Sequence, residues 1–474
     1  MDDKSNCDLL MNQKQILTLA VVVVVIIAAA GVYLYASMSK DDGGSVASLG
    51  GSLEVYGNAN GDYYIDDKDT EVIERIITDG LDWKSDYPFA DANCDGVVNQ
   101  ADVDQVNKII GATADNPVTI WHNNWNPSGR CVTSTTYPIT AAAISTAQTT
   151  AILLKTLGID DEIVGSSFTD SRPASSDKYV YADYFDIMTE DRRIGNASTG
   201  VNVDTASNLV TKYGASAYIY SSSSTTLSNL DLVEGAGIDC VQLPDGMSDV
   251  NEFNCAVLLL AFLFDTGNKG YMDKAVDYVE WMNSYWKEFQ DNLSAVYDGR
   301  VEQKSGAASS MSVYVSVKGS SNTDIIEQAG LSCPVSNTES SGTTLKYTGG
   351  TDTWLNNLDL DYLIILKGSS SGWSWFDEKY GAEDLPQSPN SSSYQYHMNN
   401  FSSLQCYKEG NVFIVSSMMP GPLKSAIIAQ YVYPELFDDG WAESFISEYY
   451  QKYLGFSQQK CENLKYILTE EDVF

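Results

Sequence analysis

Two things are scarce in these 474 residues. Histidine occurs twice, at His122 and His397, and 28 Lys and Arg stand against 64 Asp and Glu. The second shortage leaves a formal net charge of -36. A body of that sign repels nucleic acid and anionic lipid, which excludes nucleic acid as a partner, and it suits cations or basic protein patches. The shortage of histidine confines any Ser/His or Cys/His device to two positions, neither with a recognisable context. No Walker loop, zinc constellation, GxSxG elbow or Gly-rich dinucleotide fingerprint is found. The expectation is therefore a protein that is not an enzyme and has no catalytic residues. Paired carboxylates acting on polysaccharide stay open as the rival class, because a chain with 64 acids always holds candidates. A structural adhesion protein is the third reading.

Cysteine occurs eight times with no CxxC pair. Cys7 precedes the long apolar run, and seven follow it, an odd number that leaves at least one unpaired. Ile16 to Met38 reads ILTLAVVVVVIIAAAGVYLYASM, 23 residues without a charge, enough to span roughly 30 Å of hydrocarbon. A removable signal core has only about 7–15 such residues. A retained transmembrane anchor is expected, with cleavage near Ala36–Ser39 open and the body extracellular at the cell membrane. Residues 1–15 would be a cytosolic tail. The charge excess lies beyond Lys40, with 64 − 3 = 61 acids against 28 − 3 = 25 bases. Sequons at Asn196, Asn292, Asn390 and Asn400 fit a secreted surface. Residues 39–54 are rich in Gly and Ser and read as a flexible tether.

Beyond the tether, NANGDYYIDDKD and DANCDGVVNQAD begin 33 residues apart, at Asn58 and Asp91. A calcium loop draws hard oxygens from places 1, 3, 5, 7 (by backbone), 9 and 12. The first loop offers Asn58, Asn60, Asp62, the Tyr64 carbonyl, Asp66 and Asp69. The second offers Asp91, Asn93, Asp95, the Val97 carbonyl, Asn99 and Asp102. An amphipathic helix follows each, with Val72, Ile73, Ile76 and Ile77 on one face of the first and Val103, Val106, Ile109 and Ile110 on one face of the second. This doubled loop–helix unit, residues 55–112, resembles the dockerin domain. The resemblance implies two Ca2+ ions and a cohesin-type protein partner. Asn58 stands where such loops open with Asp, and Tyr63 where Gly makes the sharp turn, so the first site is expected to be weaker.

From Pro117 onward strands and helices alternate. YPITAAAIST, AQTTAILLKTLGI and DDEIVGSSF read as strand, helix and strand; NVDTASNLVTKYGASAYIYSSSS repeats the theme. A helical stretch, residues 249–294, separates lobe 1 (117–248) from lobe 2 (295–474). TWLNNLDLDYLIILKGSSSGW in the second lobe echoes the first-lobe layout, which predicts a helix before its strand. The fold class is α/β: two similar lobes with mostly parallel sheets joined by a long helical segment, plus a small all-α calcium-loop module and an N-terminal transmembrane helix.

Ligands of open α/β sheets bind beyond the carboxyl ends of the strands. Those ends supply the candidate solute-binding residues: Ser145, Thr146, Ser166, Ser167, Phe168, Ser221, Ser222, Ser369, Ser370, Trp373 and Ser416, with His397 beside them. Trp121, Trp125 and Trp375 offer further stacking surface, and His122 could meet His397.

The order of AQTTAILLKTLGIDDEIVGSS, GVNVDTASNLVTKYGASAYIY, VEGAGIDCVQLP, EGNVFIVSS and VYPELF resembles the ABC-transporter solute-binding proteins of the iron-siderophore, haem and vitamin B12 class, over residues 118–474. The resemblance implies two lobes held by a rigid helix, a metal-chelate or corrinoid solute between them, and delivery to an ABC permease in the membrane. It also implies an acidic permease-docking residue on each lobe, for which Asp204 and Asp352 are the matching positions.

Overall fold

The computed structural model describes residues 50–126, 129–145, 148–167, 190–196, 200–221, 227–244, 249–265, 269–311, 314–336, 344–347, 353–367, 401–416, 419–462 and 466–469. Gly51–Phe474 forms one unit by its internal contacts.

The two loop–helix units come first. Asp66 caps the helix Asp67–Asp79 and Asn99 caps the helix Gln100–Ile110, each in a reciprocal capping box closed by the acid three residues on, Asp69 or Asp102. Their apolar faces meet in a small core of Ala59, Ile73, Ile76, Ala90, Ala92, Val103 and Val106. The tether gives way to packed chain by Leu53, since Leu53 and Val55 are fully buried. Tyr56 N–H donates to the Trp121 carbonyl at 2.8 Å, and Gln105 Nε2 donates to the Thr119 carbonyl at 2.8 Å. The loop–helix pair is thus packed onto the body.

Its contact surface is a hairpin of β1 (Val118–Asn126) and β2 (Gly129–Tyr137), which the sequence reading did not anticipate. Along β1 the inward positions are Ile120, His122 and Asn124, all buried. The period of two is there, but polar residues occupy its inner face, which hides it from a hydrophobicity pattern. Asn124 Oδ1 accepts from Gln242 N–H at 2.7 Å, and Asp239 Oδ2 accepts from Thr136 N–H at 2.7 Å. These bonds fasten the hairpin against the last strand of the first sheet and cover its edge.

That sheet holds β3 (Ala142–Ser145), β4 (Ile163–Ser167), β7 (Ala217–Ser221) and β8 (Asp239–Leu243) in the order β4-β3-β7-β8, all parallel. The short pair β5 (Gly195–Asn196) and β6 (Gly200–Val201) lies outside it. Crossover helices Gln148–Leu157 and Val203–Tyr213 lie in sequence between its strands. The second sheet has six strands. In it β9 (Gly306–Met311), β12 (Tyr362–Lys367) and β13 (Val412–Ser416) are parallel, while β10 (Tyr314–Ser316), β11 (Thr344–Lys346) and β14 (Ile467–Leu468) are antiparallel additions. Strands β7 and β13 are buried at every position, as strands covered on both faces must be.

Two helices lie between the sheets in the chain, Val250–Phe264 and Tyr271–Tyr297. The first is buried at every position from Phe253 to Phe264. The second carries Tyr278, Trp281, Tyr285 and Phe289, which stack with Trp441, Phe445, Tyr449 and Tyr453 near the chain's end. One continuous core joins residues of both sheets through these helices.

Two corrections follow. The helix expected before β12 is a single 3-10 turn, Asn356–Leu358, ended by Asp359 at φ 48. The Asn and Asp side chains of NNLDLD compete for backbone groups and favour turns over helix. Among the described residues, no helix is long and apolar enough to cross a membrane, and Ile16–Met38 lies outside them.

Candidate functional site

The carboxyl ends of the first sheet place Ser145, Ser166, Ser167 and Ser221 along one edge, at the ends of β3, β4 and β7. The strand order reverses at β3, between β4 and β7, which is the switch point where such sheets open a crevice. Ser416 ends β13 in the second sheet. All five are buried. Ser167 and Tyr218 share a hydrogen bond at 2.8 Å between their hydroxyls, while Ser166 Oγ, at 0% exposure, has no hydrogen-bond partner. Thr146, Phe168, Ser222, Ser369, Ser370, Trp373, Trp375, His397 and Asp352 lie outside the described residues.

His122 is corrected. It is fully buried, its Nδ1 donates to the Asn123 carbonyl at 2.9 Å, and its Nε2 accepts from the Thr135 hydroxyl at 2.8 Å. Burial pulls its pKa down to about 4, so the ring is neutral and both nitrogens are spent inside the hairpin. Trp125 is corrected likewise, since it is 5% exposed in the main core and packs there. Thr135→Val should strand His122 Nε2 without its donor and cost about 1–3 kcal/mol, measured by urea unfolding. An unchanged midpoint would show that the ring finds another partner.

Asp204 is exposed on the helix Val203–Tyr213. The residue that caps this helix is Asn202, whose Oδ1 accepts from Thr205 N–H at 3.1 Å, so Asp204 is not needed as a cap. It borders a polar depression of about 440 Å³ with Arg193, Asn202 and Gly195.

Sequence reading passed over Lys424. It sits in the first turn of the helix Gly421–Val432, is 9% exposed, and makes no side-chain hydrogen bond or ion pair among the described residues. Burial pulls its pKa down to about 8. The one available signal was a lysine inside an apolar run, PLKSAIIA, on a helix buried nearly all round.

The calcium-loop residues are brought together in both repeats, though not alike. In the second loop Asp91 accepts from Asp95 N–H at 3.1 Å and Gly96 N–H at 2.8 Å, and Gly96 takes φ 91 at the sixth place. Asn93 Oδ1 accepts from Asp95 N–H at 2.9 Å, and Asp95 Oδ1 accepts from Val97 N–H at 2.9 Å. Asp102, fully buried, accepts from Asn93 and Asn99 amides at 3.2 and 2.8 Å. In the first loop Asp69 holds the matching place, accepting from Asn60 and Asp66 amides at 3.0 and 2.8 Å. Asn58 differs from Asp91, because its Nδ2 donates to the Leu53 and Asp62 carbonyls at 2.8 Å each. Its Oδ1 is left buried without a partner. Exchanging the amide's O and N would set an oxygen against two carbonyls, so this orientation stands.

The donor sets are hard oxygens of the kind Ca2+ takes, and the second loop fits better. Among the described residues no group of three or more His, Cys, Asp or Glu side chains is gathered as a metal site, and the loops instead mix carboxylates with asparagines and backbone carbonyls. Cys94 lies in the second loop at φ 56; it and Cys240, Cys255, Cys333, Cys406 and Cys461 are free thiols.

Comparison with family models and with curated proteins finds no match. Solved structures do match. The TroA-like periplasmic binding protein FepB from Veillonella parvula covers 73% of this chain and 99% of its own, at 14% identity and a TM-score of 0.50. A periplasmic solute binding protein from Veillonella parvula DSM 2008 covers 73% and 96% at 16% identity and 0.48. CeuE from Helicobacter pylori, in a Ni-His complex, covers 72% and 98% at 15% identity and 0.45. The α/β body of this chain therefore has the fold of the TroA-like periplasmic binding proteins, a likeness carried by the first of the three. The expected placement at the cell membrane is corrected: FepB, whose fold the body shares, is a periplasmic binding protein, and among the described residues no helix is long and apolar enough to cross a membrane.

Proposed function

We propose that residues 117–474 capture a bulky metal chelate, an iron-siderophore, haem or a corrinoid, and pass it unchanged to an ABC permease. The observation that carries this reading is the arrangement of one parallel and one mixed sheet, with buried hydroxyls at the ends of their parallel strands, about one helix pair and a shared core. A solute held at those ends meets hydroxyls placed by strands rather than by loops, so little ordering entropy opposes binding. Asp204, exposed and free of capping duty, would meet a basic permease surface, with Asp352 as its counterpart on the other lobe. Calorimetric titration with ferric siderophores, haem and cobalamin tests the reading, and failure to bind any of them would defeat it.

The second part of the proposal is that residues 55–112 are a dockerin-like module that binds Ca2+ and assembles with a cohesin-type protein. Asp91, Asn93, Asp95, the Val97 carbonyl, Asn99 and Asp102 would hold one ion. Asn58, Asn60, Asp62, the Tyr64 carbonyl, Asp66 and Asp69 would hold a second more weakly. The ion would supply positive charge that neutralises the crowded carboxylates.

A pH dependence follows from Asp69. With no ion, burial first, then the Asp62 and Asp66 charges, push its carboxyl up to about 7, against the pull of the Asn60 and Asp66 amides. A raised carboxyl binds its proton more tightly folded than unfolded. The stability it contributes is complete below about pH 4 and is lost as pH rises through 7. Calcium-free protein should therefore lose stability between pH 5 and pH 7.5, and calcium should restore it at the upper end. Thermal melts with EDTA and with calcium check this; equal EDTA melts at both pH values would contradict it.

A further inference from the structure

We infer that Lys424 is the anion-recognising group of the solute site, so that the preferred chelate carries a carboxylate or comparable anionic group. This rests on the proposed solute binding and narrows its substrate class.

Three observations converge on it. The first is position. The helix Gly421–Val432 follows β13 and runs back along it, since Tyr431 near its end packs on Phe413 of β13 at 4.4 Å between ring centroids. Lys424 lies seven residues earlier, two turns away on the same face, which is about 10 Å along the axis. Phe413 to Ser416 covers about the same distance in a strand. Lys424 is therefore level with Ser416, at the carboxyl end of β13. That is the edge where a solute of this fold is sought.

The second is the state of the side chain. Lys424 is 9% exposed and has no carboxylate, carbonyl or hydroxyl partner among the described residues. A lysine this far buried is normally paired, and the chain has 64 acids from which to supply a partner. Two polar groups, one on this helix and one on the helix Trp441–Lys452 that packs on it, are engaged elsewhere. Ser425 Oγ donates to the Ile325 carbonyl at 3.0 Å, and Glu443 accepts from Gln430 Nε2 at 2.7 Å. Burial without compensation is also why its pKa falls.

The third is the helix end itself. The N-cap is Pro420, no side chain caps the helix, and Pro422 removes one further amide donor. The helix has 12 residues, so its positive end is undiluted by a capping oxygen. A lysine there suffers from the helix dipole as well as from desolvation. An anion from the solute would relieve both. Unpaired burial of this kind is the expense of a preorganised site, held ready for a partner that arrives in solution.

The test uses the full chain and two ferric chelates of opposite character, anionic ferric citrate and neutral ferrichrome, each titrated by tryptophan quenching and each compared with its own wild-type affinity. Wild-type protein should favour the anionic chelate. Lys424→Gln should weaken that chelate roughly 10- to 100-fold and leave the neutral one within about twofold, and Lys424→Arg should restore most of the preference. Lys424→Met, measured without ligand, should raise the melting temperature, which separates a binding role from a structural one. An anionic preference unchanged in Lys424→Gln, or a lower melting temperature in Lys424→Met, overturns the inference and leaves chelate binding standing. If neither chelate binds the wild-type chain, solute binding itself fails and the inference falls with it.

Discussion

Asp102→Ala should abolish calcium binding at the second loop and destabilise residues 55–112 more than any other single change there. Asp102 is fully buried, accepts two backbone amides and completes the capping box of the helix Gln100–Ile110. Losing that capping contact costs about 1 kcal/mol. With calcium at 100 times its dissociation constant, losing the ion removes about 2.7 kcal/mol more. The sum, about 4 kcal/mol, is enough to melt a small core of seven buried side chains. Asn58→Ala should do less to calcium affinity, because Asn58 belongs to the weaker first loop and offers a neutral amide where Asp91 offers a carboxylate. Calorimetric titration and calcium-dependent urea unfolding read both variants. Calcium heats in Asp102→Ala equal to those of the wild type would remove the second loop as an ion site.

The second large effect lies in the helix pair between the sheets. Phe253 is fully buried on the helix Val250–Phe264 and lies 5.7 Å from Tyr278 on the helix Tyr271–Tyr297. Phe253→Ala should cost about 3–5 kcal/mol, through lost burial and the cavity left in the core shared by both sheets. Tyr285→Phe on the same helix pair should be neutral or stabilising, because the Tyr285 hydroxyl is buried with no hydrogen-bond partner. Urea unfolding of the two variants separates the cases. A small loss for Phe253→Ala would mean that the helix pair can relax, and that it is not the rigid element on which the lobes depend.

Much of the α/β body was legible in the sequence because its strands are continuous apolar runs. AYIYS, YLIILK and VFIVS each became a parallel strand, and the helical stretch between the sheets declared itself through FNCAVLLLAFLF. The hairpin Val118–Tyr137 was not legible because His122 and Asn124 occupy its inner face, where a pattern of apolar residues was sought. NNLDLD misled in the opposite direction, since its leucines suggested a helix that its Asn and Asp residues do not support.

For the site, strand ends could be found from strand boundaries, so the serines at the ends of β3, β4, β7 and β13 were placed in advance. Lys424 could not be found that way. Nothing in PLKSAIIA says that a lysine lacks a partner; that fact exists only once burial and neighbours are fixed. The doubled loop–helix pattern was readable because its spacing is local in sequence. The reversed role of Asn58 was not, because it depends on the Leu53 carbonyl outside the loop.

The most direct measurement is a calorimetric titration of the full chain with haem, a ferric siderophore and cobalamin, run beside an oligosaccharide-hydrolysis assay. One-to-one binding of at least one chelate at micromolar affinity or tighter, recovered unchanged and without hydrolysis of any glycan, is the result expected. Hydrolysis with no heat from any chelate would contradict the account and give the lobes to a carbohydrate-active enzyme.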